Sequence, residues 1–421
     1  MRALAISDLH FGAWTGDPVL SREFARERLA PLLDDVDELV LLGDVFDFLF
    51  SSIDHAVAQG DPFFELVQRR LQGKRVVFLA GNHDHHVVVR ALRSLVETKV
   101  ATGAEGEELA RIFEAEYRDF FQRFLDRRLD GVDCRMVYPT HMIGDVLLCH
   151  GHYLDAHVGG SVPNRLLTRG EWAVAGGRPA DDLRIEDYEA VIVPLTELLF
   201  TVAQLPRGCS AQEAFLHQFE RIGKLLRLGA LVERQVKRAG ASISARRGRG
   251  PSDGGGGIAA TAAEISRGDR PPARASAPSA PVPLALGAYR QVVRNLGWDR
   301  ISDKLVFAHT HQPLDGATAD ADDGVRFWNT GSWIYEPSLG SIDSYLGYLR
   351  RAWPGTAVLV DTDASEPQLI ELLRDQNPLH GATTGTGDFR AGVADQFSAR
   401  ARAYDAKLPA GAGASAARGQ R

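Results

Sequence analysis

Residues 1–10 read MRALAISDLH, an apolar run from Ala3 to Ile6 that stops at Asp8 and His10. A short apolar run bounded by polar residues predicts a buried strand, and two polar residues spaced by two at its end point to the same side. The design returns four times. Glu38 to Leu42 runs into Gly43-Asp44, Val76 to Leu79 into Gly81-Asn82-His83-Asp84, Val146 to Cys149 into His150-Gly151-His152, and Leu305 to Phe307 into His309-Thr310-His311. Polar groups therefore gather at the C-terminal ends of five strands, the edge where open α/β sheets bind ligands.

Helical patterns lie between the early strands, at Ser21 to Leu33 with Ser21 as N-cap and at Pro62 to Leu71. Alternating strands and helices predict an α/β core. Beyond His311, closely spaced strands are expected at Val325 to Asn329, Tyr345 to Arg350 and Thr356 to Val360, forming a second sheet. The predicted fold is α/β: a two-sheet β-sandwich flanked by helices (α/β/β/α) with a helical, partly disordered insertion.

The expected core is residues 1–155 and 298–377, interrupted by a helical insertion or lid at 156–297. Within the insertion a capping box, Ser210 with Glu213, opens a helix whose apolar face is Phe215, Phe219, Ile222 and Leu226. Residues from about 240 to 283 are rich in Gly, Pro, Ser and Ala and are expected to stay disordered, as is a tail at 378–421.

The chain of 421 residues is 44% hydrophobic and 24% charged, which excludes disorder of the whole. A net charge of −7 does not favour polyanions, so nucleic acid is not the expected partner. Three cysteines, Cys134, Cys149 and Cys209, match neither a disulfide framework nor a thiolate zinc site, and no leader-like apolar run precedes Asp8. The apolar window Ala190 to Leu205 holds Pro194 and Glu197 and falls short of the roughly 20 residues of a membrane span. No transmembrane segment and a cytoplasmic location are expected.

Taken singly, Asp8-x-His10 or Gly43-Asp44 reads as a turn. Taken together, five such segments point to metal ligation, because satisfied core histidines tend to occur one at a time. Carboxylates, an amide and imidazoles without thiolate favour Mn²⁺, Fe²⁺ or Zn²⁺. Seven ligands are too many for one tetrahedral ion. Two cations about 3.5 to 4 Å apart can share a carboxylate and a hydroxide and neutralise phosphoryl oxygens during in-line attack. Two divalent metal ions and a phosphate-containing small-molecule substrate are the expectation.

The five segments also resemble the calcineurin-like metallophosphoesterase family, whose blocks D-x-H, G-D-x-x-D, G-N-H-[DE], H and G-H-x-H appear here in order as DLH, GDVFD, GNHD, the His of CHGH, and AHTH. Ala308 stands where the last block usually has glycine. The resemblance implies that Asp8, His10, Asp44 and His311 hold one metal and that Asp44, Asn82, His150 and His309 hold the other. It implies a catalytic role for His83 over the substrate, and supporting roles for Asp47 and Asp84. His152 and His157 are candidates to line the cleft; Asn329-Thr330-Gly331-Ser332 resembles the turn that often follows the last block.

GDVFD with a helical insertion before the last block looks like the UDP-2,3-diacylglucosamine pyrophosphatase branch, whose substrate is an acylated sugar nucleotide. That branch commonly has Arg where this chain has His83, which leaves phosphomonoesters and phosphodiesters equally open. Two readings of other classes remain. One is a metal-binding scaffold. The other is a nucleic-acid or membrane-surface module built on Arg234, Lys237, Arg238, Arg246, Arg247 and Arg249.

Overall fold

Each expected apolar run is a strand whose alternate residues enter two different cores. In the computed structural model, residues 1–13, 16–89, 128–157, 183–205, 283–319, 324–335 and 342–380 are described. The first part of the chain runs β1 (Arg2–Ile6), β2 (Asp17–Pro18), α1 (Glu23–Asp34), β3 (Glu38–Leu42), α2 (Ile53–Arg70), β4 (Arg75–Leu79), β5 (Asp133–Val137), β6 (Thr140–Ile143) and β7 (Val146–Cys149). It continues through α3 (Ile185–Ala203), α4 (Pro283–Leu296), β8 (Lys304–Phe307), β9 (Leu314–Ala317), β10 (Arg326–Asn329), β11 (Ile334–Tyr335), α5 (Ile342–Arg351), β12 (Thr356–Asp361) and β13 (Gln368–Glu371).

One sheet has the order β13-β12-β1-β3-β4-β5, with β1, β3, β4 and β5 parallel to their neighbours and β12 antiparallel to β1. The other has the order β6-β7-β8-β10-β9 and keeps β7, β8 and β10 parallel. Leu4 and Ile6 of β1 pack outward under Leu29 and Leu33 of α1 and Phe63 and Val67 of α2. Ala3 and Ala5 face the second sheet, where Val146, Leu148, Val306, Ala308 and Trp328 meet them. On the far side Leu305, Phe307 and Phe327 are covered by Tyr289, Val292 and Val293 of α4 and Tyr188 of α3. The architecture is the α/β/β/α sandwich.

The structure corrects four element assignments. Tyr345 to Arg350, expected as a strand, is part of helix α5. Its Tyr345 and Leu349, spaced by four, are buried on one face against the first sheet. Thr356 to Val360 is a strand, but it pairs with β1 and so extends the first sheet rather than the second. Helix α1 starts at Glu23 with Arg22 as N-cap, since Val19–Ser21 forms a separate 3-10 turn. Helix α2 begins at Ile53, nine residues before Pro62, which it accommodates in its interior. The Ser210 helix, the 240–282 segment, the basic cluster and nearly all of the expected tail lie outside the described residues. Among the described residues, no helix is long and apolar enough to cross a membrane.

Candidate metal centre

The loops leaving β1, β3 and β4 in one sheet and β7 and β8 in the other converge at one end of the sandwich. Among the described residues, five other than glycine have positive φ: Asp8 (51°), His10 (48°), Asp44 (52°), His309 (68°) and His311 (55°). Left-handed backbone costs such residues about 1–3 kcal/mol each and clusters where function demands it. Here every instance falls on an expected metal ligand. The turns are pinned by main-chain bonds: the Asp8 amide donates to Gly43 O at 3.0 Å, and the His10 amide to Asp44 O at 2.9 Å. Asn329 fixes the last loop, its side chain donating to Ala308 O at 2.9 Å and to the Thr310 hydroxyl at 3.1 Å, and its own oxygen accepting from the Gly331 amide at 2.8 Å.

Two glycines are required by close approach. A methyl group on Gly43 would collide with the His150 ring, and one on Gly81 with the Asp44 carboxylate. The Ala308 methyl, by contrast, packs between the sheets with no exposure.

The side chains meet in two overlapping groups. Asp8, His10 and His311 bring ligand atoms within 4.8 Å of one another, as do Asp44, His150 and His309. In the first group, His311 Nε2 lies 3.1 Å from Asp8 Oδ1 and 3.2 Å from His10 Nε2. In the second, His150 Nε2 lies 3.3 Å from Asp44 Oδ2 and 3.2 Å from Asn82 Oδ1. His10 Nε2 is 3.8 Å from Asp44 Oδ2, so the Asp44 carboxylate stands between the groups. The His150 Nδ1–H donates to Leu42 O at 2.8 Å, which turns Nε2 toward Asp44 and Asn82; burial would lower this imidazole, but the Asp44 and Asp8 charges raise it to about 9, so a cation bound there would take the place of the Nε2 proton.

Whether cations fit here is decided by the polar atoms themselves. Asp8 Oδ1 is buried and meets imidazole nitrogens, His311 Nε2 at 3.1 Å and His10 Nε2 at 3.8 Å, in place of a well-formed hydrogen bond, surroundings that a shared cation would complete. Burial lowers the His10 imidazole below its ordinary range, assisted by the neighbouring His83, which keeps it neutral as a ligand must be. Burial alone would raise Asp44, but the imidazoles of His150 and His83 hold it well below the usual carboxylate range. A neutral imidazole and an ionised carboxylate with facing lone pairs form a donor set suited to divalent cations.

His83 sits beside these groups and is 21% exposed, with its Nδ1–H donating to Asp47 Oδ1 at 2.8 Å. Burial would lower it, but Asp47 and Asp44 outweigh that and push it up to about 9. Its nitrogen also falls within 4.8 Å of ligand atoms of His10 and Asp44. Asp84 ties two loops together by accepting from the Gly81 amide at 2.6 Å and the Val45 amide at 2.8 Å. Burial and the nearby Asp44 charge raise its carboxyl to about 6.

Of the two expected cleft histidines, His152 is buried beside His150 with ring centroids 5.4 Å apart, and His157 hydrogen bonds to the Tyr188 hydroxyl at 2.7 Å. Sequence reasoning missed Asp155, whose carboxylate lies 3.0 Å from His309 Nε2. It also passed over His85, Tyr138, Tyr153 and Glu189, which are hydrogen bonded together behind the centre. Asp155 was within reach of a reading that continued past His150; Glu189, on a helix a hundred positions from His85, was not.

No curated protein matches the chain. The model of the calcineurin-like phosphoesterase family matches residues 1–197, which contain four of the five strand-end segments described above. Over that span the chain is similar to the calcineurin-like phosphoesterase family.

Proposed function

We propose that the protein hydrolyses a phosphomonoester, phosphodiester or pyrophosphate with two divalent cations held between Asp8, His10, Asp44 and His311 on one side and Asp44, Asn82, His150 and His309 on the other. The observation that carries the reading is the convergence of all seven side chains from five strand ends. Such cations supply Lewis acidity toward phosphoryl oxygens and activate water. The protein's own part is to fix the ligands through strained, hydrogen-bonded turns and to hold a proton nearby. His83, kept protonated by Asp47, is placed to give that proton to the leaving oxygen.

Phe50 lies 5.8 Å from the His83 ring, and Phe200 of α3 stacks on His86 at 3.5 Å and touches Phe48 edge-on at 6.5 Å. Of these rings only Phe50 adjoins the proposed proton donor, and this part-buried ring supports a substrate with an apolar portion, in keeping with an acylated sugar nucleotide. Metal-free protein reloaded with Mn²⁺ should be offered p-nitrophenyl phosphate, bis-p-nitrophenyl phosphate and a UDP-sugar pyrophosphate. Turnover of at least one that chelator abolishes is the expected result; turnover unaffected by chelator would overturn the reading.

A further inference from the structure

Behind the centre, on the side of the inserted helix α3, lies a buried cluster around Glu189, which is 8% exposed. Its Oε2 accepts from His85 Nε2–H at 2.8 Å, and its Oε1 accepts from the hydroxyls of Tyr138 and Tyr153. The Tyr138 hydroxyl also lies 3.2 Å from His85 Nε2 and 3.4 Å from His152 Nε2. Three donors thus satisfy one carboxylate.

The set His85, His152 and Glu189 has metal-binding chemistry, with atoms within 4.8 Å of one another. The contacts made by Glu189 are at hydrogen-bond length, however. Both oxygens of Glu189 already accept from protein donors, so the cluster is satisfied as a hydrogen-bonded network.

The placement of the donors is what matters. His85 follows Asn82 by three residues in the loop after β4, and Tyr153 follows His150 by three in the loop after β7. Asn82 Oδ1 and His150 Nε2 are themselves 3.2 Å apart. A single carboxylate from α3 therefore joins the two loops whose ligands were assigned to the same cation. The loops bearing His10 and His311 are held differently, by the His10 amide to Asp44 O and by the Asn329 side chain to Ala308 O.

We propose that Glu189 is a positioning residue that locks the Asn82 and His150 loops in mutual register and so sets the affinity of one of the two cation sites, leaving the other nearly untouched. The inference rests on the two-cation reading above. Glu189→Gln keeps the shape but turns an N–H toward His85 Nε2–H. If the amide is turned the other way its oxygen accepts from His85, but its NH2 then faces the hydroxyls of Tyr138 and Tyr153, so in either orientation donors of the cluster lose an acceptor and the negative charge that held them.

The test is Mn²⁺ binding to the full-length, chelator-stripped chain, followed by calorimetric titration and by metal content after dialysis. The wild type is expected to take two equivalents. Glu189→Gln should keep one tight equivalent and bind the second about 10–100-fold more weakly, the usual effect of losing a partner of a ligand, with an unchanged circular dichroism spectrum. Tyr153→Phe, which removes one donor and keeps the ring, should weaken the same step by less and decides the matter if Glu189→Gln does not fold. Glu197→Gln, on the same helix and paired with His86 at 2.6 Å, should leave both steps as they are.

Unchanged binding in both Glu189→Gln and Tyr153→Phe would overturn the proposal. So would equal weakening in Glu197→Gln, which would mean that docking of the helix alone matters. Three equivalents in the wild type falling to two in Glu189→Gln would make the cluster a metal site and overturn it as well. Fewer than two equivalents in the wild type would instead overturn the two-cation reading.

Discussion

Asp44 shows how much one side chain carries. One carboxylate oxygen accepts the His83 amide at 2.8 Å, the other faces His150 at 3.3 Å and His10 at 3.8 Å, and the backbone sits at positive φ. A residue standing between both ligand groups should matter to both cations. Asp44→Asn is expected to lower occupancy of both and to cut turnover by at least about 100-fold, above the effect of losing an outer partner; metal content and initial rates check it. His83→Ala is expected to retain both metals while losing about 10²–10⁴-fold in rate, the range of a general acid. Loss of a metal equivalent in that variant would make His83 a ligand.

The sign of the pH effect follows. A group that must be protonated to act supports activity below its pKa and loses it above. Rates should therefore fall on the alkaline side through the His83 titration, at about 9 or below, because nearby cations favour the neutral imidazole. His83→Ala should lack that limb in a pH–rate profile.

At the scale of elements, the strands that end in ligands were legible because each buries both faces and so reads as an uninterrupted apolar run. The same continuity hides which sheet a strand joins. Thr356 to Val360 reads no differently from Val325 to Asn329, yet one joins the first sheet and the other the second. Helix α5 was misread because YLGYLR is short and rich in aromatic residues that favour strands, while its burial of Tyr345 and Leu349 follows the period of a helix. The side chains that converge at the strand ends could be named from the sequence, but their hydrogen-bonded supports could not, since contacts such as Glu189 to His85 span a hundred residues.

Two variants probe the elements. Gly81→Ala puts a methyl group against the Asp44 carboxylate, so it should weaken metal binding more than Gly73→Ala, where a Cβ meets nothing within 4 Å. Tyr289→Ala in α4 removes a buried ring stacked on Phe307 at 4.3 Å and should cost about 3–5 kcal/mol of stability in denaturant titration.

Across the whole molecule, two sheets bring candidate ligands to one centre: β1, β3 and β4 from one, β7 and β8 from the other. Any cation held there bridges the sandwich as well as serving chemistry. Ligands that bind only the folded state stabilise it by mass action, about 2.7 kcal/mol for a single site at a hundred times its dissociation constant. Melting temperature should therefore rise with Mn²⁺ and fall with chelator, and Asp44→Asn should blunt the response.

The central claim is that Asp44 stands between two cations at the junction of the sheets. An anomalous-scattering map of crystals loaded with Mn²⁺ tests it most directly. The account predicts two peaks flanking the Asp44 carboxylate, one beside Asp8, His10 and His311 and the other beside Asn82, His150 and His309. A map with no peak at Asp44, or with manganese bound only elsewhere, would contradict it.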